Sequence, residues 1–195
     1  VLDSLGTRDV LAAGSTRCFA FLVDMNLLFE RFVHRLLERL LPAGYRLDYQ
    51  RSDRSILWNV DDNRAYAAVI PDLLVQADGE SKQRIALDAK YKLYDERKLS
   101  ADDIYQCFLY AYAFGQGGEG GVPSAVLVYP STTGAQPLRL RVRTVHRVTS
   151  AEILAVGIHV PTALKEARER RLGPGAATLV EAVRRATVPP VLVAA

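Results

Sequence analysis

The residues with the most chemistry in this chain are two aspartates and a lysine, in the stretches Ile70-Pro71-Asp72 and Leu87-Asp88-Ala89-Lys90. In the run RIALDAKYKL, Ile85, Leu87, Ala89 and Tyr91 fall on one face of an extended chain. Ala86, Asp88, Lys90 and Lys92 fall on the other. A charged stripe beside an apolar one needs a cause. Two carboxylates brought together at a bend between neighbouring strands repel each other, which is costly unless a cation sits between them. Hard oxygen ligands of this kind suit Mg2+, with Mn2+ as a substitute: such an ion keeps several waters and takes the rest of its shell from a substrate phosphate. Lys90, on the same face as Asp88, would orient or deprotonate an attacking water, or neutralise charge on the phosphorus.

For these side chains to meet, PDLLVQ and RIALDAKYKLY must form a hairpin around the polar turn ADGESK. Ahead of them, DMNLLFERFVHRLLERLLP places Leu28, Phe32, Leu36 and Leu40 at steps of four. Asp24 is its N-cap, and Pro42 and Gly44 mark its stop. The strand-like runs YRLDYQRS and RAYAAVI follow, separated by the turn-rich NVDDNR. Behind the hairpin, SADDIYQCFLYAYAFG reads as a helix opened by Ser100 and first-turn acids and closed at Gly115. The glycine loop GQGGEGG then leads into SAVLVYP, a continuous apolar run of the kind expected of a central strand. PLRLRVRTV alternates with period two, and Gly157 with its β-branched neighbours marks EILAVGIHV as a strand. TALKEARERRL and AATLVEAVRRA are helical. The order implies an α/β domain with a central mixed sheet flanked by helices.

The 195 residues, 49% hydrophobic and 24% charged, suffice for one good core. Apolar stretches fall short of a membrane span and no secretory signal opens the chain, so a cytoplasmic setting with no membrane partner is expected. Cys18 and Cys107 are too few for a disulfide framework or a four-cysteine metal cluster and read as reduced core residues. The formal net charge of +3 hides an asymmetry. The stretch from Leu138 to Arg185 holds ten Lys/Arg against four acids, leaving the acid-bearing remainder net negative. That suits an acidic metal pocket beside a basic half that holds a polyanion.

Pro71-Asp72 with Asp88-Ala89-Lys90 resembles the PD-(D/E)XK nuclease signature. Gln106 and Tyr110 form a Gln-x-x-x-Tyr pair one helical turn apart and on one face. Nucleases of the RecB-like branch carry such a pair beside the active site, and members of the superfamily often place a glutamate on the first helix, where this chain has Glu30. In order and separation, DMNLLFERFV, IPDLL, LDAKYK and DIYQCFLYAYAF resemble the McrC family, the nuclease subunit of the McrBC 5-methylcytosine restriction system. The likeness runs from about residue 20 to about residue 130. The last third matches less closely, and the family's N-terminal region, which engages the motor subunit, has no counterpart. The chain is therefore expected to be a fragment. Residues 1–20 would be a lead-in, the end of a missing preceding region, and residues 21–195 a restriction-endonuclease-like PD-(D/E)XK domain with a C-terminal helical extension.

The resemblance implies a Mg2+-dependent endonuclease subunit that acts on double-stranded DNA without a covalent intermediate. Methylcytosine recognition and GTP-driven translocation would come from an McrB-like AAA+ partner. GQGGEGG lacks the Lys-Ser/Thr pair of a P-loop, so the energy source lies elsewhere. The resemblance makes Asp72, Asp88 and the Ala89 carbonyl the metal ligands and Lys90 the catalytic lysine. Glu30 would be an outer ligand or hold a water, Gln106 would hydrogen-bond within the site or to substrate, and Tyr110 would contact a phosphate or pack over the site. Lys92 has the parity to reach DNA, whereas Tyr91 should face the core. Arg139, Arg141 and Arg143 form a basic stripe that suits phosphate contact or the charged edge of a sheet. Trp58 reads as a packing residue, and His34, His146 and His159 form no zinc site. Two alternatives are a standalone repair or recombination nuclease of the same superfamily and a non-catalytic DNA-binding assembly module. The first could not be an iron-sulfur version, for want of cysteines, and the second would ordinarily have lost Asp72, Asp88 or Lys90.

Overall fold

The helix expected after Asp24 forms, and its start has a plain cause: the Asp24 carboxylate accepts the backbone N–H groups of Asn26 and Leu27 at 2.9 and 3.2 Å. A computed structural model describes residues 23–78, 83–95, 97–115, 121–134 and 136–187. The elements are α1 (Met25–Leu40), β1 (Tyr45–Tyr49), β2 (Asp53–Asn59), β3 (Arg64–Val69), β4 (Leu73–Ala77), β5 (Arg84–Ala89), α2 (Ala101–Phe114), β6 (Ser124–Pro130), β7 (Leu138–Arg143), β8 (Thr149–Ile158), α3 (Val160–Glu169) and α4 (Pro174–Thr187).

Six strands form one mixed sheet in the order β1-β4-β5-β6-β8-β7, and β2 pairs with β3 in a separate ribbon. The β1/β4 and β4/β5 pairs are antiparallel, β5/β6 and β6/β8 are parallel, and β7 runs antiparallel along the edge. Parallel β5 and β6 need a crossover, and α2 supplies it. Both faces of the sheet are covered. Leu73, Val75, Ile85 and Leu87 pack under Phe29, Val33, Leu36 and Leu37 of α1 and under α3 and α4. Leu74, Ala86, Leu127 and Ile153 pack under Cys107, Tyr110, Ala111 and Phe114 of α2. Burying each Leu, Ile or Val contributes roughly 1.5–3 kcal/mol, and the two-sided cover explains why SAVLVYP is apolar without alternation. The expected α/β architecture, with helices flanking a mixed sheet, is thus present.

Three local expectations fail. Strand β2 was hidden in a stretch of mixed polarity, because its register shifts around Leu57, so that the adjacent Ile56 and Leu57 both pack against the core under α2 and no period of two survives. Trp58, read as a packing residue, lies on that ribbon with 51% of its surface exposed. The β5 strand stops at Ala89 rather than continuing to Tyr94, because the Lys92 N–H turns back to the Lys90 carbonyl at 2.8 Å and closes a γ-turn. That turn breaks the alternation, so Tyr91, expected in the core, is 44% exposed, with its ring 6.1 Å from that of Phe29. The 1–20 lead-in, Cys18, the centre of the ADGESK turn, the GQGGEGG loop from 116 to 120 and the tail from 188 fall outside the described residues.

Helix α4 starts at Pro174, with a proline's missing N–H at the position where no partner is needed. Its next donors are met from α3: buried Glu166 accepts from Gly175 and Ala176 N–H at 2.8 and 2.9 Å. A Cβ at Gly173 would stand 2.6 Å from a Glu166 carboxylate oxygen, which explains the small residue there. Glu166→Ala should therefore lower unfolding free energy by about 1–3 kcal/mol in urea titrations, whereas an unchanged midpoint would show that water replaces this cap.

Candidate active site

The pairing of β4 with β5 brings the two aspartates together. Leu73 faces Leu87 in this antiparallel register, which sets Asp72, just ahead of β4, alongside Asp88 near the end of β5. Side-chain alternation puts both on the α2 face with Leu74 and Ala86. Asp72 Oδ2 accepts the Ala89 N–H at 2.7 Å, tying the two arms together beside the carboxylates. Asp88 is fully buried. The Lys90 ammonium donates to its Oδ1 at 3.0 Å and stands 2.9 Å from Oδ2. The geometry of the second approach is not that of a hydrogen bond, and Oδ2 has no hydrogen-bond partner.

The electrostatics are those of a site that wants a cation. Burial, and then the charge of Asp88, push the Asp72 carboxyl up to about 7. Asp88 is also raised, by burial against the opposing pull of Lys90. Burial favours a neutral Lys90, but the Asp88 charge and hydrogen bond outweigh it and raise its pKa. Among the described residues, no group of three or more His, Cys, Asp or Glu side chains could hold a metal ion. What converges is a pair of carboxylates with one buried oxygen that makes no hydrogen bond and has the Lys90 ammonium beside it. That all-oxygen, incomplete set fits an ion that retains waters, as Mg2+ does, better than a caged one.

Helix α2 reaches the site through the Gln-x-x-x-Tyr pair. Gln106 donates to the Tyr110 hydroxyl at 2.8 Å, and that hydroxyl donates to the Ile70 carbonyl at 2.9 Å. The pair thus holds the backbone just before Pro71-Asp72. Burial first, with the Asp88 and Asp72 charges adding, pushes the Tyr110 phenol up to about 12, so it remains a donor at neutral pH. Glu30 comes from α1, and its charge acts on Asp72. Its carboxylate accepts from Gln50 Nε2 at 2.8 Å, while the Gln50 N–H donates to the Asp72 carbonyl at 2.9 Å. Gln50, at φ +47°, bridges the two, and no motif in the sequence marks it.

Asp103 was also missed as a functional candidate, being visible only as a first-turn acid after the Ser100 cap. It is buried and receives Lys92 Nζ at 3.0 and 2.8 Å, the Ser100 hydroxyl at 2.6 Å and the Tyr94 hydroxyl. Lys92, expected to reach DNA, is therefore held by a carboxylate. The arginine stripe is not brought to the site. Strand β7 lies three places from β5 in the sheet, and Arg139 and Arg141 both donate to Glu152 at 2.8–3.0 Å. Arg143 makes no ion pair among the described residues. His34 stacks on Tyr49 at 4.8 Å, and His159 contacts Thr162 at 2.6 Å. Cys107 is buried and free, as read.

Two outcomes follow. An acid whose folded pKa is raised binds more protons folded than unfolded, so its stability contribution falls as pH rises from about 4 to about 7. In EDTA the chain should lose stability over that window, and Asp72→Asn should flatten the loss; urea midpoints at pH 5 and pH 8 that move equally in both proteins would refute this. Tyr110→Phe should cost about 1–2 kcal/mol in the same titration by leaving the Ile70 carbonyl and Gln106 without a partner. No cost would mean that the relay is not formed.

A family profile described as the McrBC 5-methylcytosine restriction system component matches residues 6–130. No curated protein matches the chain. A solved structure from Thermococcus gammatolerans is similar, the refined half-complex from a tetradecameric assembly of McrB AAA+ hexamers with bound McrC. It has a TM-score of 0.50 and 23% identity over 77% of this chain and 34% of that one. At that identity the likeness speaks for the fold, and the present chain spans about a third of the one it matches. The family match covers well over half of the chain and takes in Glu30, Asp72, Asp88, Lys90, Gln106 and Tyr110. This bears out the resemblance seen in the motifs: the chain belongs to the McrBC 5-methylcytosine restriction system component family.

Proposed function

We propose that this chain carries the nuclease centre of a modification-dependent restriction system. It is a Mg2+-dependent subunit that hydrolyses phosphodiesters of double-stranded DNA when coupled to a GTP-driven AAA+ partner acting at 5-methylcytosine. The observation that carries the reading is the convergence of Asp72, Asp88 and Lys90 at the ends of adjacent strands, with Asp88 buried and its Oδ2 free of hydrogen bonds but 2.9 Å from the Lys90 ammonium. A family of restriction components supplies the biological setting. The partner is supported by the similar structure, in which McrC is bound to McrB AAA+ hexamers. Residues 21–195 act as the nuclease domain, with 1–20 leading into it. The cytoplasmic setting is part of the same proposal; no helix among the described residues is long and apolar enough to cross a membrane.

The residues divide the work. Asp72, Asp88 and the Ala89 carbonyl hold the Mg2+, which when bound supplies Lewis-acid polarisation of the phosphate and a more acidic water. Glu30, fastened to Gln50, orients water at the rim of the site. Lys90, its pKa raised by the Asp88 charge and hydrogen bond against the effect of burial, donates to the water or to a phosphate oxygen and offsets the developing charge. Gln106 and Tyr110 hold the Asp72 arm in place. Lys92, Tyr110, Arg139, Arg141 and Arg143 remain candidates for contact with the DNA backbone. For the arginines this requires that DNA extend across to the β7 edge or displace Glu152.

With its motor partner, Mg2+ and GTP, the chain should cut methylated DNA. Asp88→Ala should lower cleavage by about 10³-fold or more while leaving co-elution with the partner intact. Cutting by Asp88→Ala at the unmodified rate would remove the catalytic assignment.

A further inference from the structure

Arg51 follows Gln50, whose N–H meets the Asp72 carbonyl at 2.9 Å and carries the β1/β4 pairing one residue past Tyr49 and Leu73. Its guanidinium turns back onto Asp48, with Nη1 3.1 Å from Oδ2. Tyr45, Leu47 and Tyr49 pack on the α1 side of β1, so Asp48 points to the other face, the one that carries Leu74, Asp72 and Asp88. Asp48 lies opposite Leu74, two residues along from Asp72. The Arg51 guanidinium is therefore on the same face as the two aspartates, and its anchor lies about 7 Å from Asp72 along the strand. That offset is two nucleotide steps of one DNA strand at roughly 3.4 Å each.

Arg51 is also dispensable where it sits. Asp48 has a second cation, because Arg46 Nε donates to its Oδ1 at 3.0 Å. Burial pushes the Asp48 carboxyl up, but the hydrogen bonds and charges of Arg46 and Arg51 outweigh it and lower its pKa. Asp53, the other carboxylate that feels the Arg51 charge, accepts the Ser55 N–H and hydroxyl at 2.8 and 2.6 Å and feels Arg84 as well. If Arg51 leaves, each acid keeps one arginine. The Arg51 side chain is 40% exposed, so a second anion can reach it. Lys92 is the contrasting case: it is the one cation bonded to Asp103 among the described residues and is held by both carboxylate oxygens.

An exposed ion pair contributes little to stability, so exchanging its carboxylate costs Arg51 little. Its planar fork matches a phosphate in two parallel hydrogen bonds. We propose that Arg51 is a substrate-binding residue that leaves Asp48 to Arg46 and takes a DNA phosphate close to the scissile one. This rests on the nuclease reading above and adds a contact that no motif marks. Such a contact sets the register of the strand over Asp72 and Asp88 without reading sequence, as suits a subunit whose base recognition lies in a partner.

The test is binding of a fluorescein-labelled duplex to the full chain, with Ca2+ in place of Mg2+, followed by anisotropy between about 50 and 200 mM salt. Arg51→Gln should weaken binding about fivefold or more and reduce the slope of log affinity against log salt by about 1, the mark of one lost phosphate. Arg51→Lys, which keeps the charge and loses the fork, should keep the slope while binding more weakly. Asp48→Asn, which releases Arg51, should bind at least as tightly as the unmodified chain. Arg171→Gln removes a well-exposed charge just beyond α3, on the opposite face of the sheet, and should change neither affinity nor slope. An equal fall from Arg171→Gln would reduce the effect to net charge and overturn the proposal. So would an Arg51→Gln chain with unmodified affinity and slope, weaker binding by Asp48→Asn, or an unmodified chain that binds no duplex at about 50 mM salt. The metal-site reading fails separately: an Asp88→Asn chain that still cuts, with motor partner, Mg2+ and GTP, would overturn that reading and leave the Arg51 slope as it is.

Discussion

Two carboxylates meet at the end of an antiparallel pair, Asp88 fully buried and Asp72 half-buried, in a place where water screens them poorly. Left alone, that arrangement is unfavourable twice over: burial raises the cost of each charge, and the Asp88 charge adds to the cost of charge on Asp72. The fold accepts the cost because the sheet on which it is built is covered on both sides. Residues at odd positions of β4 and β5 anchor one core and those at even positions the other, so a one-residue slip would bury the wrong faces. The register that stabilises the domain is the same register that sets Asp72 against Asp88.

Helix α2 is the second half of the arrangement. Its first turn holds the chain leaving β5 through Asp103, and two turns later Tyr110 holds the chain approaching β4 through the Ile70 carbonyl. One rigid element thus braces both arms of the hairpin. Hydrogen bonds of this kind are individually worth about 0.5–1.5 kcal/mol, and their importance here lies in fixing position rather than in stability. Gln50 does the same on the opposite side by joining Glu30 to the Asp72 backbone.

What could be read from the sequence follows this division. Asp72, Asp88 and Lys90 stood out because charge of fixed parity inside an apolar run is anomalous. Helix α1 stood out because its capping residue and four-residue period agree, and the central strand β6 because it is apolar throughout. Gln50 and Asp103 were silent, since a glutamine after a strand and an acid in a first turn have ordinary explanations, and their contacts join residues distant in the chain. Strand β2 was missed and Trp58 misplaced for one reason: the register shift around Leu57 puts Ile56 and Leu57 on the core together and leaves Trp58 outside, which breaks the alternation. Tyr91 failed because a single backbone hydrogen bond ended the strand early, and side-chain parity carries no trace of such a turn.

The central claim is that this pair of carboxylates exists to hold a divalent ion beside a protonated lysine. Anomalous diffraction at the manganese edge from crystals soaked in Mn2+ tests it most directly. The account predicts one peak between Asp72 and Asp88, with Lys90 remaining next to it. Well-ordered side chains with no peak between them, or a peak only elsewhere on the surface, would contradict it.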